Sequence, residues 1–422
     1  MHNSEGPQNI EYKLLEEVER TKKELALLVS DLIKIKSVNP PGDMLEIAGF
    51  IKEMLEESGF DVKSFEPEKG RVNIVTSIGK GKPELVFNGH MDVVPPGDSS
   101  KWDFDPFAGK ISEEYIYGRG ASDMKGGLAG LIKSFTILSK YEKYLRGRLY
   151  LVIVPDEETG GYYGTRYLVE NNIAMGDYVI IGEPTGISQI DIGQKGNLWL
   201  KLIAHGTATH GSLSPYLGDS AIIKALKLID DLYKEVINLS STPPPELEQV
   251  LTNSEEIADK LLGVKGIGKA LLRRPSFNVG IIKGGTKINI VPDYCEAEID
   301  IRIPIGITKE ELLTKVKNVA DKYNVDLLVE AAFDANYTPP SNEIVRVVAN
   351  SIRDVTGSEP KLFVQWASSD ARFYRLKGIP TIHYGPAEVE GIHGYNERVK
   401  ISDVVTAAKV YTLSAFRLLT SQ

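Results

Sequence analysis

The sequence predicts an α/β fold in which a small domain interrupts a larger one. Strands alternate with helices over residues 1–193 and again over 337–422, an order typical of a mostly parallel central sheet covered by helices. Between these segments, over 194–336, the order becomes strand, helix, strand, strand, helix, strand, as in a ferredoxin-like βαββαβ domain. The 422 residues also exceed what one hydrophobic core usually holds. We therefore expect two domains.

The elements of the larger domain follow from hydrophobic spacing and from helix-breaking residues. A charged helical pattern extends from Tyr12 to Lys36, and the Pro-Pro-Gly of Asn39–Gly42 follows it. The other predicted elements are, in chain order, a helix over 44–58, strands over 72–77 and 84–88, a helix over 127–139, a strand over 148–155, a helix over 164–171, a strand over 178–181, a helix over 342–355, a strand over 379–384 and a helix over 402–419.

The smaller domain has strands predicted over 198–204, 276–282, 294–303 and 325–331, and helices over 220–237 and 308–323. Its first helix is followed by an unusually long stretch, about 238–275. This stretch begins with three consecutive prolines and continues with a helical pattern over 246–272. We interpret it as an insertion.

Composition limits the class of protein and the kind of site. A net charge of −9 argues against a general nucleic-acid or anionic-membrane partner, because both require a basic surface. The single cysteine, Cys295, falls on the apolar face of a predicted strand, so any metal site must use histidines and carboxylates. No signal-peptide core and no membrane-spanning apolar run occur, so we expect a cytoplasmic protein.

Five short polar blocks carry the candidate chemistry, and each lies at a turn of the chain. They offer two histidines and at least three carboxylates, a ligand set suited to two zinc-like ions. The blocks are Asn88–Pro95, Gly118–Gly127, Asp156–Gly161, Gly182–Thr185 and Gly391–Gly394. Their composition favours a metal-dependent hydrolase.

The first block follows a predicted buried strand and contains His90 and Asp92. Two residues apart in extended backbone, the two side chains project the same way, so Asp92 can accept a hydrogen bond from one imidazole nitrogen while the other binds a metal. A histidine and an aspartate at this spacing are, taken alone, more often part of a polar turn.

The second block places Asp123 in a loop flanked by glycines, where one carboxylate oxygen could serve each of two ions. A phosphate-binding loop is the rival interpretation, but the block matches no glycine-rich phosphate motif. Residues 263–270 come within one residue of a P-loop, yet Ala270 replaces the hydroxyl that Mg²⁺ requires. We therefore favour the metal interpretation.

The remaining blocks supply the acidic and second imidazole groups. Glu157 and Glu158 follow an apolar strand, where one can ligate a metal and the other can act as a general base. Glu183 follows the next strand. His393 lies between two glycines in a loop after a strand, and it is the natural second nitrogen ligand. No GxSxG nucleophile motif is present. His210 lies in a loop of the smaller domain, and the sequence alone does not say whether it approaches the metal site.

Together, these blocks resemble the M20 metallopeptidase family, which includes acetylornithine deacetylase, succinyl-diaminopimelate desuccinylase, aminoacylase and glutamate carboxypeptidase. The likeness extends from Ser37–Gly42 to Asn396–Glu397. The resemblance implies that His90 and Glu183 bind one zinc, that Glu158 and His393 bind the other and that Asp123 bridges them. It further implies that Asp92 orients His90 and that Glu157 takes a proton from a metal-bridging water and delivers it to the leaving amine.

The same resemblance implies roles for residues of the smaller domain. In this family that domain is a lid, and two chains form a homodimer through it. His210 would stabilise the oxyanion, at the partner subunit's site. Asn289 and Arg302 would read the substrate's carboxylate, and Lys195 would be a basic substrate-binding residue near the lid hinge. Arg302 also falls on the polar face of its predicted strand.

The predicted function is therefore dizinc hydrolysis of an N-acyl amino acid, of the deacetylase or desuccinylase type, with cobalt or manganese as other usable metals. A metal-dependent dipeptidase or carboxypeptidase would share every metal and catalytic residue. A non-catalytic metal-binding homologue is the remaining alternative. It is disfavoured because all five ligands and Glu157 are present.

Overall fold

The computed structural model describes residues 6–420, which form two compact units. The larger unit comprises the chain up to Ile192, Thr338–Phe363 and the chain from Ser369 onward, and the smaller comprises Gly193–Tyr337 and Val364–Ser368. The sequence analysis assigned Val364–Ser368 to the larger domain. Its grouping with the smaller unit has a local cause, because the Val364 N–H donates a 2.9 Å hydrogen bond to Ser254 Oγ in the inserted stretch.

The N-terminal segment supplies most of the larger unit. Its elements are α1 (Pro7–Arg20), α2 (Lys22–Lys34), α3 (Leu45–Glu57), β1 (Lys63–Glu68), β2 (Arg71–Gly79), β3 (Glu84–His90), β4 (Lys110–Ile111), β5 (Tyr115–Tyr117), α4 (Gly126–Ser139), β6 (Arg148–Val154), α5 (Thr165–Glu170), β7 (Tyr178–Ile181) and β8 (Gln189–Gln194).

The first helical pattern, predicted as one helix from Tyr12 to Lys36, forms two helices, so that prediction was wrong. They meet at Thr21, whose hydroxyl donates to the Val18 carbonyl at 2.8 Å. A threonine that bonds a carbonyl of the preceding turn competes with the helical ladder.

The smaller unit contains β9 (Gly196–His205), α6 (Ala221–Ile237), α7 (Glu248–Leu262), α8 (Ile267–Arg273), β10 (Ser276–Gly284), β11 (Tyr294–Ile303), α9 (Lys309–Ala320), β12 (Asp326–Phe333) and β13 (Asn336–Tyr337). Strands β10, β11, β9 and β12 form an antiparallel sheet in that order, the strand order of a ferredoxin-like domain. Alternate residues of β9 and β11 pack with α6 and α9 in one core cluster. Helices α7 and α8 lie in the inserted stretch, and Cys295 is buried.

The chain then completes the larger unit with α10 (Glu343–Thr356), β14 (Lys361–Gln365), α11 (Ala371–Arg375), β15 (Thr381–His383), β16 (Arg398–Lys400) and α12 (Ile401–Thr420). The central sheet has the order β1-β2-β6-β3-β7-β15-β8. Its middle strands β6, β3, β7 and β15 are parallel, whereas β1, β2 and β8 pair antiparallel at the two sides. The sheet is therefore mixed, with a parallel centre.

Helices cover both faces of this sheet. On β3, Val86 belongs to a core cluster with residues of α5 and α11, whereas the next residue, Phe87, faces Tyr411 of α12 with ring centroids 6.0 Å apart. A strand buried on both faces explains the continuous apolar run that preceded His90 in the sequence. Among residues 6–420, no helix is both long enough and apolar enough to cross a membrane.

Candidate metal centre

Three adjacent parallel strands deliver the candidate ligands to one edge of the sheet. Strand β3 ends at His90, its neighbour β6 ends just before Glu157 and Glu158, and its other neighbour β7 ends just before Glu183. Carboxyl ends of parallel strands meet at the same edge, which is where α/β proteins bind ligands. Sheet topology thus gathers residues that are far apart in the chain.

His90 is 1% exposed and faces carboxylates on both sides of its ring. Its Nδ1 lies 2.9 Å from the Asp92 carbonyl oxygen and 3.3 Å from Asp92 Oδ1. Its Nε2 lies 3.1 Å from Asp123 Oδ1 and 3.8 Å from Glu183 Oε1. Asp92 therefore fixes the ring while Nε2 points toward the acidic groups, as a ligating histidine requires.

Asp123 lies between two histidines that are far apart in the sequence. Its Oδ1 is 3.1 Å from His90 Nε2, and its Oδ2 is 3.2 Å from His393 Nε2. His393 Nε2 also lies 3.3 Å from Glu158 Oε2. Each oxygen of one carboxylate thus faces a different imidazole, the arrangement that two ions sharing a carboxylate need.

The glycines around Asp123 allow a close approach of protein backbone. A Cβ added at Gly127 would lie 1.9 Å from the carbonyl oxygen of Gly182, the residue before Glu183. Only glycine therefore lets the start of α4 pack against the Glu183 turn. The sequence analysis expected these glycines to let backbone approach an ion or substrate. At Gly127, the glycine instead allows the start of α4 to approach the turn that carries Glu183.

Asp92 also holds the acidic turn. Its Oδ1 accepts the Glu157 N–H and its Oδ2 the Glu158 N–H, both at 3.2 Å. Asn39 Nδ2 donates to Asp92 Oδ2 and to Thr159 Oγ1, both at 2.8 Å. The sequence analysis assigned Asn39 no role in the site and missed this contact.

The site's acidic groups fit divalent cations. Glu158 Oε1 and Glu183 Oε1 are buried and lack a hydrogen-bond partner within the described residues. Ligand atoms of His90, Asp123 and Glu158 lie within 4.8 Å of one another, as do those of His90, Glu157 and Glu183. Buried anionic oxygens of this kind require a cation or a proton.

Burial and mutual repulsion perturb the pKa values of these groups. Burial, followed by the charge of Asp123, raises the pKa of Glu158 to about 7. Burial and the charge of Glu183 raise the pKa of Glu157. Burial would also raise the pKa of Asp123, but hydrogen bonds with His393 and His90 outweigh it and lower that pKa well below its usual range. Perturbed carboxylates at a sheet edge are typical of an active site.

The smaller unit contains three predicted substrate residues, His210, Asn289 and Arg302, each of which contacts other residues of that unit. His210 is exposed, its Nδ1 lies 2.7 Å from Ser212 Oγ, and the N–H of the next residue donates to the Asn289 carbonyl at 2.8 Å. Arg302 forms an ion pair with Asp300 at 2.9 Å. A backbone hydrogen bond thus joins the segment that carries His210 to the segment that carries Asn289.

Lys195, the predicted basic substrate-binding residue, is 3% exposed. Its Nζ donates to the carbonyl oxygens of Leu271 and Arg274, both at 2.9 Å. Burial, followed by the charge of Arg302, lowers the pKa of its ammonium group to about 7. In this structure Lys195 therefore anchors the end of α8 in the inserted stretch.

A mixed α/β sheet whose edge gathers two imidazoles and several buried carboxylates defines a metal-dependent hydrolase. Comparisons with known proteins agree. A sequence profile described as peptidase family M20/M25/M40 matches residues 86–417, and the chain belongs to this family. It is a metal-dependent hydrolase of amide or peptide bonds.

Individual relatives extend over nearly the whole chain. A succinyl-diaminopimelate desuccinylase of Pseudoalteromonas atlantica is 30% identical over 409 residues, which cover 94% of this chain and 99% of the relative. The M20 family metallo-carboxypeptidase Sso-CP2 of Sulfolobus solfataricus has a similar structure, with a TM-score of 0.77, 25% identity and coverage of 94% of this chain and 99% of that one. The dipeptidase Dug1p of Saccharomyces cerevisiae shares the fold, with a TM-score of 0.75, 19% identity and coverage of 97% and 99%.

Proposed function

We propose that this protein is a dizinc amidohydrolase that cleaves the amide bond of an N-acyl amino acid, of the deacetylase or desuccinylase type. The observation that carries the proposal is the Asp123 carboxylate, whose two oxygens face His90 and His393 at 3.1 and 3.2 Å. Glu183 lies on the His90 side of this carboxylate and Glu158 on the His393 side. In this assignment His90 and Glu183 would hold one ion, Glu158 and His393 would hold the other, and Asp123 would be shared.

When bound, two divalent ions at such a site activate water and polarise the carbonyl of the scissile bond. Zinc suits the nitrogen and oxygen donors, and cobalt or manganese would suit them as well. Asp92 keeps His90 Nε2 directed at the site, because it occupies the Nδ1 side of the ring.

Glu157 is the proposed general base. Its backbone N–H is fixed by Asp92, and its carboxylate lies among the candidate ligand atoms. A carboxyl whose pKa is raised by burial takes a proton from water and returns it to the leaving amine more readily than an ordinary surface glutamate does. Glu157 would hold that proton on a carboxylate oxygen between the two steps.

The smaller unit would provide substrate recognition. We propose that Asn289 and Arg302 read the substrate's carboxylate and that His210 stabilises the oxyanion in the partner subunit of a homodimer. Exposed apolar side chains on α6 support an interface on this unit, among them Ile223, Leu226 and Tyr233. Lys195 is the third proposed substrate-binding residue of this unit, although its Nζ donates to two backbone carbonyl groups in this structure.

A peptidase is the second candidate. The similarity to a metallo-carboxypeptidase, at 25% identity over most of both chains, favours it, whereas the 30% identity to a desuccinylase favours an acyl amino acid. Both reactions cleave an amide near a free carboxylate and would use the same ligands.

A substrate panel separates these candidates. The metal-free protein, reloaded with Zn²⁺, Co²⁺ or Mn²⁺, is assayed on N-succinyl and N-acetyl amino acids, dipeptides and C-terminally blocked dipeptides. We expect the highest kcat/KM on an N-acyl amino acid. A preference for dipeptides would replace the deacylase by the peptidase, and no turnover on any compound despite two bound ions would favour the non-catalytic alternative.

A further inference from the structure

Glu397 supports the loop that carries Asp123. Its side chain is buried, and its Oε1 accepts the backbone N–H groups of Ser122 and Asp123 at 3.0 and 3.1 Å. Its Oε2 accepts the N–H of Gly120 at 3.1 Å. One carboxylate therefore binds three N–H groups of the loop that contains the bridging ligand.

Arg119 extends this support to a second ligand segment. Its guanidinium donates to Glu397 Oε2 at 2.6 Å, and one nitrogen makes long contacts with the carbonyl oxygens of His393, at 3.4 Å, and Pro95, at 3.5 Å. The same group lies over the Trp102 ring, 5.2 Å from its centroid. Arg119 thus contacts the segments that follow His90 and contain His393.

We propose that Glu397 and Arg119 are positioning residues that hold Asp123 and His393 in their metal-binding arrangement before an ion binds. The inference rests on the proposed metal centre. Ordering ligand loops during binding would weaken metal affinity, whereas loops fixed in advance avoid that loss. Neither residue is proposed to touch metal or substrate.

The chemistry of the pair explains why both partners are needed. A buried carboxylate is unfavourable without a cation, and Arg119 supplies one at 2.6 Å. Glutamine at position 397 would keep the size of the side chain but direct an NH₂ group at one set of N–H donors. The Asp123 loop would then lose part of its support while the core around it keeps its volume.

The test uses metal-free full-length protein with Glu397→Gln and, as a matched control, Glu11→Gln. Glu11 pairs with Arg417 at 2.8 Å in the same unit, between α1 and α12. Zn²⁺ titration against a competing chelator should show 10–100-fold weaker binding of at least one ion in Glu397→Gln. Amide exchange at Ser122 and Asp123 should also accelerate without metal. The control should bind zinc like the wild type.

The outcomes separate positioning from simple stabilisation. If Glu397→Gln lowers Tm but leaves zinc affinity and loop exchange as in the control, the inference is overturned. If that variant does not fold, Arg119→Lys decides: it keeps the charge but loses the planar donor geometry, and unchanged zinc affinity would overturn the inference. A wild-type chain that binds no divalent ion would instead refute the proposed function.

Discussion

The candidate metal ligands and the candidate substrate residues lie in different units and in contrasting surroundings. His90 is 1% exposed, and carboxylate oxygens lie within 3.3 Å of both ring nitrogens. His210 is exposed, and its ring contacts the hydroxyl of Ser212 two residues away. Under the proposed assignment, the hydrolytic groups are held by fixed partners inside the larger unit, whereas the proposed oxyanion donor is an exposed side chain.

The largest expected effect comes from removing the metal from the larger unit. We expect exhaustive chelation to abolish hydrolysis and two equivalents of Zn²⁺ per chain to restore it, because ions at the site would activate water. Turnover and metal content, measured on the same samples, check this. Full activity in protein with no measurable metal would exclude the whole mechanism.

Within that unit, Glu157→Gln should reduce kcat by about 10²–10⁴-fold, since glutamine cannot accept a proton. Metal content should stay near two ions per chain. Glu158→Gln is the matched comparison and should lose metal. If the two variants behave the other way round, the roles of base and ligand are exchanged.

In the smaller unit, His210→Ala should lower kcat by about 10²–10³-fold, the usual effect of losing one oxyanion donor, with both metals retained. His205→Ala, a change of another exposed histidine on the same unit, should be nearly neutral.

Mixing subunits sharpens this prediction. Inactive His210→Ala and Glu157→Gln chains that exchange subunits should regain activity, because a mixed dimer holds one intact site. Mixed dimers that form without activity would mean that His210 serves its own chain or none.

The last expected effect concerns stability and Lys195, and it leaves catalysis aside. Its folded pKa of about 7 lies below the unfolded value of about 10.4, so between these pH values the unfolded chain binds more protons. The contribution of Lys195 to native stability should therefore rise with pH across this window, by about 1.4 kcal/mol per unit, and its charged form should be penalised below pH 7.

Lys195→Met should remove that contribution and so lower the slope of stability against pH relative to the wild type. Urea unfolding between pH 6 and 10 measures it, and Lys227→Met, a change of an exposed lysine on α6, is the control. Equal slopes in the wild type and Lys195→Met would contradict the prediction.

Local patterns were sufficient to predict most elements and the convergence of the five blocks. Strand β7 was predicted at its observed bounds, and the residues after β3, β6 and β7 had to meet once those strands were parallel neighbours. The break at Thr21 was missed because both flanking segments continue a helical hydrophobic pattern. The observed sheet is mixed. Its antiparallel side strands were not predicted, because antiparallel pairing leaves no signature in the strand sequences themselves.

The supporting contacts could not be predicted, because they join residues distant in sequence. Asn39 is 53 residues from Asp92, and Glu397 is 274 residues from Asp123. The partners of Lys195 were missed for the same reason, because its two carbonyl partners belong to the inserted stretch, 76 and 79 residues away.

The contacts of Asp92 have a consequence for mutational tolerance. One oxygen faces the His90 ring and the Glu157 N–H, and the other accepts the Glu158 N–H and the Asn39 amide. Asparagine would replace one acceptor by a donor, glutamate would shift both oxygens by one methylene, and alanine would leave every partner unpaired. In a saturation scan scored by activity, position 92 should accept no substitute, although its side chain is assigned neither to a metal nor to the substrate.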